Sequence, residues 1–130
     1  RATALGPETG TAWYSKGVAL VRLERHAESL PAFDRAIECG NTHADVWKNK
    51  GVALFCLGRY KEGLYCNDRA LETAPLDWSV WFSRGLFLFT ARDYAGALEA
   101  FGRAGDLLGP GGGAARQWQR SCTNAISQGR

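Results

Sequence analysis

Several classes of protein are excluded by what this 130-residue chain lacks. It has two histidines, His26 and His43, at unrelated places, and no GxSxG, HExxH or other histidine-centred motif. Its four cysteines, Cys39, Cys56, Cys66 and Cys122, form no CxxC and no Cys/His pair at metal-ligand spacing. They are too sparse for a disulfide-stapled scaffold, in a chain long enough to bury about two-thirds of its unfolded surface. Reduced, partly buried thiols and a cytoplasmic setting are therefore expected. No apolar run approaches the ~20 residues of a membrane span, and the first residues carry no signal-peptide pattern. The formal charge is only +3, with both signs interspersed, so the concentrated basic patch of a nucleic-acid binder is absent. The glycine-rich run GPGGG at residues 109–113 follows no predicted strand and lacks the lysine and Ser/Thr of a phosphate loop, so it reads as a linker. These absences lead to an expectation of no enzyme activity, no metal or other cofactor, no small-molecule substrate, no nucleic acid and no membrane.

What the chain does contain is a repeat. Trp13, Trp47 and Trp81 stand 34 residues apart. In the same register lie Gly17, Gly51 and Gly85; Leu20, Leu54 and Leu88; Leu30, Leu64 and Leu98; and Ala36, Ala70 and Ala104. Arg35, Arg69 and Arg103 align as well. Many identities at one fixed period mean a solenoid of like supersecondary units.

Each unit reads as two helices. Trp13, Gly17, Leu20 and Val21 recur at helical spacing, as do Leu30, Phe33 and Ile37. The short polar stretches LER, LGR and ARD separate the two helices of a unit, and GNTH and APLD separate the units. Pro75 and Asp77 supply a stop and an N-cap signal, and His43 stands where it would help begin the next helix. The expected fold is all-α: a helical solenoid of three 34-residue helix-turn-helix repeats and a C-terminal capping helix. The expected boundaries are 10–43, 44–77 and 78–109 for the repeats, 110–113 for the linker and 114–128 for the cap. The cap's apolar stripe is Ala115, Trp118, Cys122 and Ala125 or Ile126, with a polar back formed by residues such as Arg116, Gln119, Arg120, Thr123 and Asn124. Residues 1–9 fall in register with the end of a second helix, since Arg1-Ala2 precedes Arg35-Ala36 by one period and Pro7 precedes Asn41 likewise. With no methionine in the chain, this leads to the expectation of a fragment of a longer array, with residues 1 to about 6 helical and packed on the first unit.

The tryptophan, the glycine four residues later, the leucine seven later, the small residue, the aromatic, the alanine and the closing proline together resemble the tetratricopeptide repeat (TPR). The WxxKGxAL stretch is similar to archaeal and bacterial members. Counting from three residues before each tryptophan, position 8 is glycine throughout, and position 20 is Ser29, Gly63 or Ala97. Departures are His26 at position 17, Asn67 at position 24, and Asn41 and Gly109 at the proline site. The resemblance implies a right-handed superhelix that binds protein segments along a concave surface lined by the first helices. Its groove positions fall on Thr11, Tyr14, Ser15, Val18, Val21 and Arg22 in the first unit. In the second they fall on Asp45, Lys48, Asn49, Val52, Phe55 and Cys56, and in the third on Ser79, Phe82, Ser83, Leu86, Phe89 and Thr90. The apolar members suggest a partner-binding surface, and the same side chains also suit inter-repeat core. Arg22, Lys48 and Arg84 at the edges suit an acidic flank or a terminal carboxylate.

TPRs that clamp the C-terminal carboxylate of chaperone tails use lysine and asparagine, then asparagine, then lysine and arginine. Here those sites hold Tyr14 and Val18, Asn49, and Ser79 and Ser83, which argues for an apolar or amphipathic segment instead. The expected function is a non-enzymatic interaction module holding such a segment of another protein, with Tyr14, Val18, Val21, Arg22, Lys48, Asn49, Val52, Phe55, Phe82, Leu86 and Phe89 as its contact residues. The alternatives are a self-associating structural segment that forms a homo-oligomer, and a regulatory segment of a larger protein.

Overall fold

A computed structural model describes residues 7–129 of the chain. Every regular element among them is helical. Three helix pairs follow one another: α1 (Pro7–Arg22) with α2 (His26–Glu38), α3 (Ala44–Cys56) with α4 (Tyr60–Thr73), and α5 (Trp78–Thr90) with α6 (Tyr94–Leu108). A 3₁₀ turn, Gly109–Gly111, then leads into α7 (Gly113–Gly129). The chain divides into two compact units, Arg1–Thr73 and Ala74–Arg130. Unit 1 holds two helix pairs, and unit 2 holds the third pair and α7. The expected helical state of residues 1 to about 6 lies outside the described residues. α1 begins at Pro7, six residues before Trp13, whereas α3 and α5 begin three residues before their tryptophans. The first helix is thus one turn longer than its counterparts, starting on a residue pre-organised for a helix's first turn.

The turn inside each pair is built the same way in all three repeats. Glu24, Gly58 and Arg92 occupy equivalent positions and take φ of 61°, 80° and 67°. In each, the next residue's N–H reaches back to a helix carbonyl: Arg25 to Leu20 at 2.8 Å, Arg59 to Leu54 at 2.9 Å and Asp93 to Leu88 at 2.8 Å. This is the Schellman arrangement, which satisfies the orphan carbonyls of a helix end and requires a left-handed residue. Glu24, in the LER stretch that separates the two helices, is this left-handed turn residue, and α1 ends at Arg22. Glu28, Asp34 and Glu38 do lie exposed on α2, each ion-paired, with Arg25, Lys50 and Arg35 respectively.

Entry into the second helix is secured in two ways. In the first two repeats an arginine just before the helix pairs with a glutamate three residues on: Arg25 with Glu28, and Arg59 with Glu62 at 2.7 Å. The hydrogen bond from each arginine holds its glutamate below the usual carboxylate range. In the third repeat both members change together. Asp93 becomes an N-cap whose carboxylate accepts from the Gly96 N–H at 3.0 Å. Asp77 caps α5 similarly, accepting from the Ser79 N–H at 3.0 Å. His43 takes the N-cap position of α3 without a side-chain capping bond, so its contribution there is the backbone carbonyl that accepts from Val46 at 3.0 Å.

Small residues at positions 8 and 20 bring the paired helices together. A Cβ on Gly17 would stand 2.6 Å from the Phe33 ring, and one on Gly85 would stand 2.5 Å from Phe101. Both rings are fully buried, which contributes on the order of 1.5–3 kcal/mol each and offsets the ~1 kcal/mol cost of a mid-helix glycine. The middle repeat carries Asn67 where the others carry phenylalanine. There the helices approach backbone to backbone, with the Gly63 carbonyl oxygen 3.0 Å from a hypothetical Gly51 Cβ. Ser29 and Ala97 are buried, and the Ser29 hydroxyl donates to the His26 carbonyl at 2.7 Å.

In unit 2, α7 buries Ala115 and Cys122 against α6, while Ala125 is half-buried and Ile126 largely exposed. The stripe therefore continues through Ala125. The glycine run forms a defined turn between α6 and α7: Gly112 is buried, and a Cβ there would stand 3.1 Å from the Gly105 Cα.

Candidate protein-interaction face

Helical spacing of i, i+4 and i+7 puts Tyr14, Val18 and Val21 on one side of α1. All three are half-buried against a cluster of Phe33, Ala36 and Val46. Asn49 of α3 ties the two first helices of unit 1 together: its Nδ2 donates to the Tyr14 hydroxyl at 3.2 Å and to the Asp45 carbonyl at 2.8 Å. Burial, reinforced by the Asp45 charge, pushes the Tyr14 phenol up, while the Asn49 hydrogen bond pulls it partly back. The phenol therefore stays neutral and serves as a polar anchor in an apolar patch. Val52 and Phe55 continue the surface on α3, both half-buried, with the Phe55 ring edge-on to Tyr60 at 5.2 Å. Arg22 is exposed at the end of α1, and Lys48 is half-buried on α3.

In unit 2, α5 presents Phe82, Leu86 and Phe89, again all half-buried. Phe82 packs edge-on against Phe101 at 5.3 Å and lies 6.3 Å from Trp78. Phe89 sits between Tyr94 and Trp118, with both ring centroids at 5.1 Å. Phe89 is thus committed to packing against α7 as well as to the surface. Trp118 also stacks on Phe101 at 5.4 Å and 19°. Trp78, 43% exposed, adds an aromatic that the sequence reading left out. Its i, i+4 spacing to Phe82 was the signal that could have found it.

The apolar members of each unit's first-helix surface form a half-buried floor. Thr11, Ser15, Asp45, Cys56 and Thr90 are exposed beside it, and Ser79 and Ser83 are half-buried. Among the described residues no group of three or more His, Cys, Asp or Glu could hold a metal, and no helix is long and apolar enough to cross a membrane. All four cysteines are free thiols: Cys56 is exposed, and Cys39, Cys66 and Cys122 are buried.

Helix hairpins at a 34-residue period, locked by small-residue contacts and repeated Schellman turns, define a helical-repeat protein. The tetratricopeptide repeat family matches residues 1–44 and 49–111, and the chain belongs to that family. No curated protein matches it significantly in sequence. Solved structures are similar in fold. The Sgt2 TPR domain from Aspergillus fumigatus superposes with a TM-score of 0.86 at 20% identity, covering 96% of this chain and 84% of that one. The first TPR of Spaghetti (RPAP3), bound to the HSP90 peptide SRMEEVD, gives 0.88 at 14%, covering 95% and 98%. The Yersinia enterocolitica type III secretion chaperone SycD, in complex with a peptide of the translocator YopD, gives 0.85 at 10%, covering 92% and 95%.

Proposed function

We propose that the chain is a non-enzymatic protein-interaction module whose first-helix surfaces hold an apolar or amphipathic segment of another protein. The observation that carries this reading is the half-buried apolar floor: Tyr14, Val18, Val21, Val52 and Phe55 in unit 1, and Phe82, Leu86 and Phe89 in unit 2. These side chains are packed well enough to be rigid and open enough to be touched, which suits a hot-spot surface. Similar folds holding an HSP90 peptide and a YopD peptide support a peptide as the class of partner. The chaperone-tail specificity is not carried over, since only Asn49 of the five clamp sites matches. An amphipathic helix laid on the floor, with Arg22 and Lys48 meeting an acidic flank, fits better. Four free thiols suit a cytoplasmic setting.

The test is peptide display against the folded protein, followed by titration of the selected peptides. Phe55→Glu should weaken by at least tenfold the peptides held on unit 1's first-helix surface, and Leu86→Glu those held on unit 2's, as loss of a central apolar contact does, while circular dichroism stays unchanged. Selected peptides should carry apolar residues at i, i+3 or i+4. Undiminished binding by both folded variants would contradict the reading.

A further inference from the structure

A second surface in unit 2 is not used by the first-helix reading. A cleft of about 430 Å³ runs between α6 and α7, lined by Leu98 from α6 and by Arg116, Gln119, Arg120, Thr123 and Asn124 from α7. The α7 residues form a single stripe (i, i+3, i+4, i+7, i+8) on a helix whose other stripe is buried. A cleft in unit 1, between α2, α3 and α4, shows what is unusual here. Its walls carry Asp34, Lys50, Arg59, Lys61 and Glu62, so that two acids offset three bases, Lys50 pairing with Asp34 at 2.5 Å and Arg59 with Glu62 at 2.7 Å.

In unit 2 the matching acids are gone. Two periods after Asp34 stands Gly102, where a Cβ would stand 3.2 Å from the Gln119 amide nitrogen. Among the described residues, the α6–α7 cleft has no carboxylate on its walls. Arg116 donates to the Gly109 carbonyl at 3.3 Å, and among the described residues Arg120 enters no ion pair. After Asp106 the sequence contains no acidic residue, and its charges are Arg116, Arg120 and Arg130.

The structure assigns to this cleft a short acidic peptide segment of a partner protein, bound in extended form. Guanidinium groups match carboxylates in charge and fork geometry. Arg116 and Arg120 stand one helical turn apart, a rise of about 6 Å. Side chains on one face of an extended strand repeat every two residues, at about 6.6 Å. The arginines therefore read two acids separated by one residue. The Gln119 and Asn124 carboxamides each offer a donor and an acceptor to the peptide backbone, and Leu98 receives an apolar side chain. Among the described residues the walls carry no aromatic ring on which bases would stack, which favours peptide over single-stranded nucleic acid.

The test uses fluorescence anisotropy with a labelled peptide Gly-Ser-Glu-Leu-Glu-Leu-Gly-Ser at low salt. Its counterparts are the same peptide with lysine for both glutamates and a ten-nucleotide uridine RNA. Wild type should bind the acidic probe saturably and ignore the basic one. Arg120→Glu should weaken binding about tenfold, and Arg120→Lys much less, since reversing a partnered charge costs more than trimming its geometry. Asn124→Asp, which places a carboxylate on the wall with almost no change of shape, should also weaken it. Phe55→Glu should leave this binding intact, separating it from the first-helix surface. No saturable binding, or indifference to both Arg120→Glu and Asn124→Asp, would overturn the proposal. So would RNA binding of equal strength with the same dependence on Arg120.

Discussion

The guanidinium carbon of Arg69 lies 5.4 Å from the centroid of the Trp47 ring. The same pair recurs at both neighbouring repeats, Arg35 over Trp13 at 5.5 Å and Arg103 over Trp81 at 5.4 Å. In the first two repeats a lysine joins from the tryptophan's own helix, Lys16 at 5.2 Å and Lys50 at 5.9 Å. Each arginine contact staples the first helix of a pair to the second and is worth about 0.5–1 kcal/mol at a half-exposed site. Arg69→Ala should therefore lower stability by about that amount in a denaturant melt, and Arg69→Lys, which keeps the charge and loses the planar stack, by less. An unchanged midpoint for Arg69→Ala would show that the stack is ornamental.

The left-handed turn residues make a second prediction. Glu24 and Arg92 hold a backbone conformation that glycine holds at Gly58. A side chain in that region costs about 1–2 kcal/mol, part of which is recovered in the unfolded chain by having fewer states to lose. Glu24→Gly and Arg92→Gly should each stabilise the protein by about 0.5–1 kcal/mol, and Gly58→Ala should destabilise it by about 1 kcal/mol. Thermal or chemical melts of the three variants check this directly.

The glycine–phenylalanine contacts make a third. Gly17→Ala drives a methyl into the Phe33 ring, and Gly85→Ala does the same at Phe101. The helix-propensity gain of about 1 kcal/mol is outweighed by overpacking of about 1–3 kcal/mol, so both should lower the melting temperature. Phe33→Leu combined with Gly17→Ala should cost less than the sum of the two changes, because leucine withdraws the clashing ring edge.

Much of this was legible in the sequence, for a definite reason. A period of 34 with aligned Trp, Gly, Leu and Ala marks where helices lie and which faces meet, because local spacing and repetition carry that information. Alignment of Arg35, Arg69 and Arg103 was equally plain, yet its purpose was not. A stack between residues 22 apart depends on how two helices are rotated against each other. The left-handed backbone at Glu24 gave no signal in the sequence, because such a position favours glycine only on average, and two of the three repeats do without it. Phe89 was placed on the first-helix surface with inter-repeat core left open, and its packing on Trp118 was hidden because it depends on how α7 is rotated against α5 and α6, which spacing alone does not give.

The cysteines give a prediction about pH. Burial pushes the Cys66 and Cys122 thiols up. In the folded chain they stay protonated at pH values where an unfolded thiol, with a pKa of about 8.5, has begun to ionise. Their contribution is complete below that value and is lost as pH rises through it toward the raised folded-state pKa. Stability should therefore decline from about pH 8.5 upward, and Cys66→Ala with Cys122→Ala should flatten the decline. In native protein at neutral pH, iodoacetamide should label the exposed Cys56 well before the buried Cys39, Cys66 and Cys122, as followed by mass spectrometry.

That selectivity supplies the most direct test of the interaction surface. Cys56 is exposed beside Phe55 at the edge of the first-helix face, while Tyr65 is exposed on α4, the second helix of the same pair. A benzophenone attached at Cys56, and in a separate Cys56→Ser/Tyr65→Cys protein at position 65, can be irradiated with a display-selected peptide bound. The interaction account predicts a strong cross-link from position 56 and little or none from position 65. A cross-link from position 65 with none from 56 would contradict it.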